Sequence, residues 1–324
     1  GVRNALIGSG TGDALTTGDD NTAVGSFSLG ADTLGNRSTA IGHNALAVQN
    51  FTSSTSVYNT AVGYAAGAAV TTGVQNTLIG GLSGDAITTG IGNVAVGYNA
   101  LTVHTTGNNN VAIGNVALES NTTASDIVAV GVAALRLNTT GADNVAVGAY
   151  SLDANTTGAS NTAVGNYALD ANTTASNNTA VGYASLGANT TGTRNVAMGA
   201  YALDAHTTAN DNTGLGYAAL SAVTTGAANT AVGAEALLSN TASNNTAVGT
   251  DALKGNTTGE ASTALGSLAL DANTTGGFNT ALGVHALGGN TTASYNTAVG
   301  WGSLKDNTTG ASLTAVGYAA LDKN

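Results

Sequence analysis

The sequence has no cysteine and no proline, and only 4% of its 324 residues are aromatic. Lack of cysteine excludes disulfides, thiolate metal sites and cysteine nucleophiles. Lack of proline means that no backbone N–H is missing from a hydrogen-bonded ladder, which suits a chain of paired strands. Charge is scarce as well, at 8% of residues, where an average globular chain carries roughly 25%. Only 7 residues are basic against 18 acidic, giving a net charge of −11. Such a chain lacks the basic stripe that a phosphate backbone requires, so no nucleic-acid partner is expected. No apolar run approaches the roughly 18 residues of a membrane-spanning helix, so no membrane insertion is expected. Hydrophobic residues make up 42%, too many for a solvated coil. The 46 glycines do not recur at every third residue beside proline, which rules out collagen.

What is present is a repeat. The motif Asn-Thr-Ala-Val-Gly can be indexed by its glycine, from Gly8 and Gly25 to Gly300 and Gly317, in 19 copies. The spacing is 17 residues, except 21 between Gly42 and Gly63 and 16 between Gly233 and Gly249. With that glycine as position five, the consensus reads N-T-A-V-G-x-x-A-L-x-x-N-T-T-G-x-x. Position four is always aliphatic or methionine, position three is alanine except at Leu6, Leu78 and Gly214, and position nine is leucine except at Gly12, Gly67 and Gly84. Column-wise identity at a short fixed period is what stacking demands, because each residue packs on its own counterpart. One unit type fills residues 1–324, so a single array is expected, with a small outward insertion at about 49–58.

The unit is too short and too rich in Thr, Asn and Gly for a helix. Thr-Ala-Val suits a strand, and Asn-Thr-Thr-Gly is turn chemistry. The expected fold is all-β: a parallel β-solenoid or β-roll of 19 coils, with one strand at positions two to four and a second near seven to nine. Structural ladders are expected along the columns of Gly165, Gly182 and Gly199, of Val164 and Val181, of Leu169 and Leu186, and of Asn161 and Asn178. Neighbouring strand residues point to opposite faces, so Ala and Val at positions three and four cannot both enter the coil. The face left outside predicts self-association, as a parallel homotrimer or an end-to-end filament. The array begins and stops within a unit, which reads as an excerpt of a longer shaft.

The run NTAVGNYALDANTT from Asn161 to Thr174 resembles the repeats of tail-fibre-type proteins of bacteriophages and bacterial surfaces. Those repeats often precede a self-cleaving chaperone domain. The N-x-A-V-G coils are more loosely similar to head repeats of trimeric autotransporter adhesins, a left-handed parallel β-roll in a trimer with shorter coils. The resemblance implies a structural shaft, extracellular, on a virion tail or a bacterial cell surface, that spaces an attachment tip from its base.

Some columns carry chemistry of their own. Aromatics gather at positions six and seven, among them Tyr64, Tyr98, Tyr150, Tyr167, Tyr183, Tyr201, Tyr217, Trp301 and Tyr318, and the insertion adds Phe51 and Tyr58. Facing outward, these would stack on sugar rings of a surface polysaccharide or meet a receptor. The repeated Thr-Thr pairs, such as Thr190-Thr191, would build a threonine ladder like that of ice-binding solenoids. Adjacent residues of an extended segment alternate faces, so only one file of hydroxyls would be presented. Aspartates recur at position ten, where Asp153 and Asp170 fall on adjacent coils. The histidines His43, His104, His206 and His285 are too scattered for a metal pair. No nucleophile–base pair or phosphate loop occurs, so neither enzyme activity nor a cofactor is expected.

Overall fold

The computed structural model describes residues 1–323 and contains no helix among them. The chain is an all-β parallel solenoid of nineteen coils with a repeat of about 17 residues. It divides into two compact units, the first from Gly1 to Asn161 and the second from Thr162 onward.

In the first unit nine three-residue strands, from Ala5–Ile7 to Val145–Val147, carry the solenoid sheet. In the second, ten do so, from Thr162–Val164 to Thr314–Val316. Each strand is the Thr-Ala-Val segment at positions two to four, and within a unit it pairs in parallel with its own counterpart. Thr179, Ala180 and Val181 lie against Val196, Ala197 and Met198. Register is thus set by the sequence period itself.

The alanine at position three turns inward. Ala163, Ala180 and Ala197 are fully buried, as are Leu169, Leu186 and Leu203 at position nine. The residue at position four turns out: Val164 and Met198 stay partly exposed. Three coils have glycine at position nine, and there aliphatic side chains from other columns fill the space. A Cβ on Gly84 would lie 2.7 Å from Leu78 and 2.8 Å from Ile87; on Gly67, 2.6 Å from Leu78 and 3.3 Å from Val70; on Gly12, 3.0 Å from Leu15. Core volume is conserved while its source moves between columns.

No second strand forms near positions seven to nine. Those residues belong to a turn in which positions seven and nine both have left-handed backbone: φ is 59° at Tyr201 and 54° at Leu203. A strand needs φ near −120°, and each left-handed non-glycine residue costs about 1–2 kcal/mol. Hydrogen bonds compensate. The Ala202 N–H donates to the Gly199 carbonyl in its own coil at 3.2 Å, while Tyr201 donates to Tyr183 on the coil before and Leu203 to Ala219 on the coil after, each at 3.0 Å. Alternating the sign of φ sends successive N–H groups to opposite neighbours, so a coil with one strand is still bonded on both sides. Glycine at position five is required by space as well as by φ. At Gly199, with φ of +136°, a Cβ would lie 2.4 Å from the carbonyl oxygen of Gly216.

Two columns of asparagine run beside the apolar core, at positions one and twelve. In each coil both amides converge on the carbonyl at position fifteen: Asn144 and Asn155 donate to Gly158 at 2.8 and 3.0 Å. The amides also chain between coils, as where Asn195 donates its backbone N–H to the Asn178 side-chain oxygen at 3.0 Å. Position one was expected to form such a ladder; the one at position twelve is additional. Buried polar turns are thereby satisfied throughout the coil.

Candidate functional site

The insertion does not turn its phenylalanine outward. Phe51 is only 6% exposed, and Val57 is fully buried. Between them Thr52, Ser53 and Ser54 face solvent, with Ser56. This coil has Ser38 where its neighbours have asparagine and the longer Gln49 at position twelve. The Gln49 amide donates to Asp32 at 2.7 Å and to Ser38 at 3.0 Å, and its oxygen accepts from Asn59 at 2.8 Å. A longer amide and a phenyl ring thus occupy the widened coil. Tyr58 lies outside, with the Arg37 guanidinium 5.7 Å from its ring centre.

The remaining aromatic candidates lie on the surface, and they meet one another. Their geometry follows a rule of columns. Where rings on consecutive coils share a position they stack: His43 on Tyr64 at 5.6 Å, Trp301 on Tyr318 at 5.0 Å, Phe278 on Tyr295 at 5.2 Å. Where they alternate between positions seven and six they pack edge to face. Tyr167, Tyr183, Tyr201 and Tyr217 do so in succession, at 6.1, 5.4 and 6.1 Å between centres. The arrangement is set by the pitch of the solenoid, which holds ring centres in the 4.5–7 Å range of favourable aromatic pairs. Tyr98 is exposed, with Gly81 and Asn115 at its position in the coils on either side.

The threonine pairs divide as the alternation of faces requires. At position thirteen the hydroxyl is committed to the backbone: Thr190 donates to the Thr207 carbonyl and Thr274 to that of Thr291, at 3.1 and 2.9 Å. At position fourteen Thr191, Thr258 and Thr275 are exposed. One file of hydroxyls faces water.

The charged columns contain pairs that reading by residue type had missed. Arg3 bonds Asp20, Arg136 bonds Asp153 and Arg194 bonds Asp211, at 2.5, 2.9 and 2.7 Å. In each case the partners are 17 residues apart in one column, and opposite charges at that spacing are the signal in the sequence. Hydrogen bonds from Arg3 and Arg194 hold the Asp20 and Asp211 carboxyls below their usual range. Burial pushes the Asp271 carboxyl up.

Two histidines replace asparagine in the column at position twelve, and both are fully buried. Asn121 donates to Nδ1 of His104 at 2.9 Å, so the proton sits on Nε2, 2.8 Å from the Gly107 carbonyl. His206 takes the opposite tautomer: Nδ1 donates to Asn189 at 3.1 Å and Nε2 accepts from Asn212 at 3.2 Å. Burial lowers the pKa of both, that of His206 to about 4.

Among the described residues no cavity opens, and no three His, Asp or Glu side chains gather as a metal site. What the structure brings together is columns: asparagine inside, aromatics, threonine and paired charges outside, and an apolar strand face. No protein-family model and no curated protein matches the chain.

Proposed function

We propose that this chain is a structural fibre shaft, a stiff extracellular spacer on a phage tail or a bacterial surface, in which three parallel copies associate through their strand faces. The observation that carries the reading is the composition of that face. Positions two and four hold only Thr, Val, Ile, Leu, Met and Ala in all 19 coils, with no charged residue among them. Ile41, Ile79, Ile113, Val164, Met198 and Leu265 remain exposed there. A contiguous apolar stripe of this kind marks an interaction surface. Its periodicity matches that of a second copy, so identical chains in parallel register would meet column to column. The ladders suit a mechanical role, since pulling a coil out breaks a backbone bond at nearly every turn.

Negative-stain imaging of the purified chain tests the proposal. Thin, straight particles of uniform width are expected. Compact or irregular particles would overturn the shaft reading.

A second reading, binding of surface carbohydrate, is favoured by the exposure of Tyr64 and Tyr318, at 61% and 77%. Binding on a glycan array that disappears with Tyr64→Ala and Tyr318→Ala would support it, and an array without signal would remove it.

A further inference from the structure

We propose that the tyrosine column of the second unit is a site of oxidative cross-linking, at which neighbouring coils of one chain are joined as dityrosine. Tyr167, Tyr183, Tyr201 and Tyr217 occupy four consecutive coils, alternating between positions seven and six. Their ring centres are 6.1, 5.4 and 6.1 Å apart, and their planes cross at 79°, 72° and 86°. All four are exposed, from 39% at Tyr201 to 56% at Tyr217. The ring edge, which bears the carbons ortho to the hydroxyl, is therefore turned toward a neighbouring phenol, and each ring is open to an oxidant.

The chemistry needs nothing else from the protein. A haem peroxidase working on hydrogen peroxide takes one electron from each of two phenols, and each loses its hydroxyl proton to become a phenoxyl radical. The two radicals join through ortho carbons, forming one C–C bond. Each ring then moves its displaced ortho hydrogen to oxygen and regains aromaticity. Two electrons and two protons leave in total, and they reduce one hydrogen peroxide to two waters. A reaction partner held about one ring diameter away is present at a high effective concentration, so coupling within the chain outruns coupling between chains. Other exposed tyrosines lack this arrangement: Tyr64, Tyr295 and Tyr318 pack on His43, Phe278 and Trp301. In a chain with no cysteine, this column offers a covalent stitch that disulfides cannot. The proposal rests on ring geometry alone and stands apart from the shaft reading.

The test treats the full chain, at low micromolar concentration, with a haem peroxidase and a few equivalents of hydrogen peroxide. Dityrosine fluorescence, electrophoresis under denaturing conditions and peptide mass spectrometry are then read. We expect dityrosine in the single-chain band, with cross-linked peptides joining Tyr183 to Tyr201 and Tyr201 to Tyr217. The yield within the chain should fall about tenfold or more in Tyr183→Phe/Tyr201→Phe, which keeps the ring contacts but leaves no adjacent tyrosine pair among the four, and likewise in wild-type chain unfolded in guanidinium, because both remove the local concentration of partner phenol. An unchanged yield in the folded double variant, or dityrosine found only in bands of two or more chains, would overturn the proposal.

Discussion

Asn245 and Asn256 donate their side-chain amides to one carbonyl, that of Gly259, at 2.8 and 2.9 Å. The two residues come from opposite ends of the core, positions one and twelve, and together they close the coil across its polar side. The Asn245 oxygen also accepts the backbone N–H of Ser262 on the next coil, at 2.9 Å. Replacing Asn245 by alanine therefore strands a buried N–H. We expect a loss of about 1–3 kcal/mol, the cost of a buried donor left without a partner. Thr258→Ala, on the exposed position-fourteen file of the same coil, should stay within about 0.5 kcal/mol. Urea unfolding of the two variants beside the parent makes the comparison.

The glycine column predicts a contrast between two identical substitutions. Gly199→Ala places a Cβ 2.4 Å from the Gly216 carbonyl oxygen at φ of +136°, and should cost at least about 2 kcal/mol through clash and strain together. Gly302→Ala has φ of +61° with nothing within 4 Å, in a column where Tyr201 and Leu268 already adopt φ of 59° and 58°. It should lie within about 1 kcal/mol of the parent. Thermal unfolding of both variants distinguishes a spatial requirement from a merely conformational one.

Movement of core volume between columns predicts non-additivity. Gly84→Leu restores the consensus residue but meets Leu78 and Ile87, so it should destabilise by about 1–3 kcal/mol through overpacking. Leu78→Ala also restores the consensus, yet alone it opens a cavity and should cost about 2–5 kcal/mol. Combined, the two should cost clearly less than their sum. A double-mutant cycle by denaturant unfolding reads this coupling directly.

Acid should weaken the array through its buried imidazoles. In the fold the His206 pKa is pushed down to about 4 from an ordinary 6.5, and the groups at its nitrogens, Asn189 and Asn212, are uncharged amides. The unfolded chain binds the proton that the folded chain refuses. Stability from this residue is complete above about pH 6.5 and is lost as pH falls toward 4, by roughly 3 kcal/mol in total. His206→Asn restores the amide of the neighbouring coils and should remove this residue's share of the loss. Urea midpoints at pH 7.5 and 4.5 for parent and variant check the sign.

Much of the fold was legible because the repeat dictates it. A strict period with glycine at position five and Thr-Ala-Val before it defines parallel strands in register, and the inward alanine with leucine follows from alternation. The turn at positions seven to nine was not legible, because leucine and tyrosine in left-handed conformation contradict their single-residue preferences. Only stacking, which supplies bonds to coils on both sides, makes Tyr201 and Leu203 adopt it. Phe51 was misleading for a related reason. A bulky residue in an insertion reads as an exposed loop, but the wider coil needed filling. The pairing of Arg194 with Asp211 was present in the sequence at the repeat spacing and becomes visible once charges are compared along columns.

The central claim, that the charge-free strand face is covered by further copies of the chain, is tested most directly by the molar mass in solution, measured by sedimentation equilibrium over a range of micromolar concentrations. The account predicts three times the mass of one chain, reduced to a single chain when aspartate replaces Ile113 and Met198 on that face. A single-chain mass at every concentration in the parent protein would contradict it.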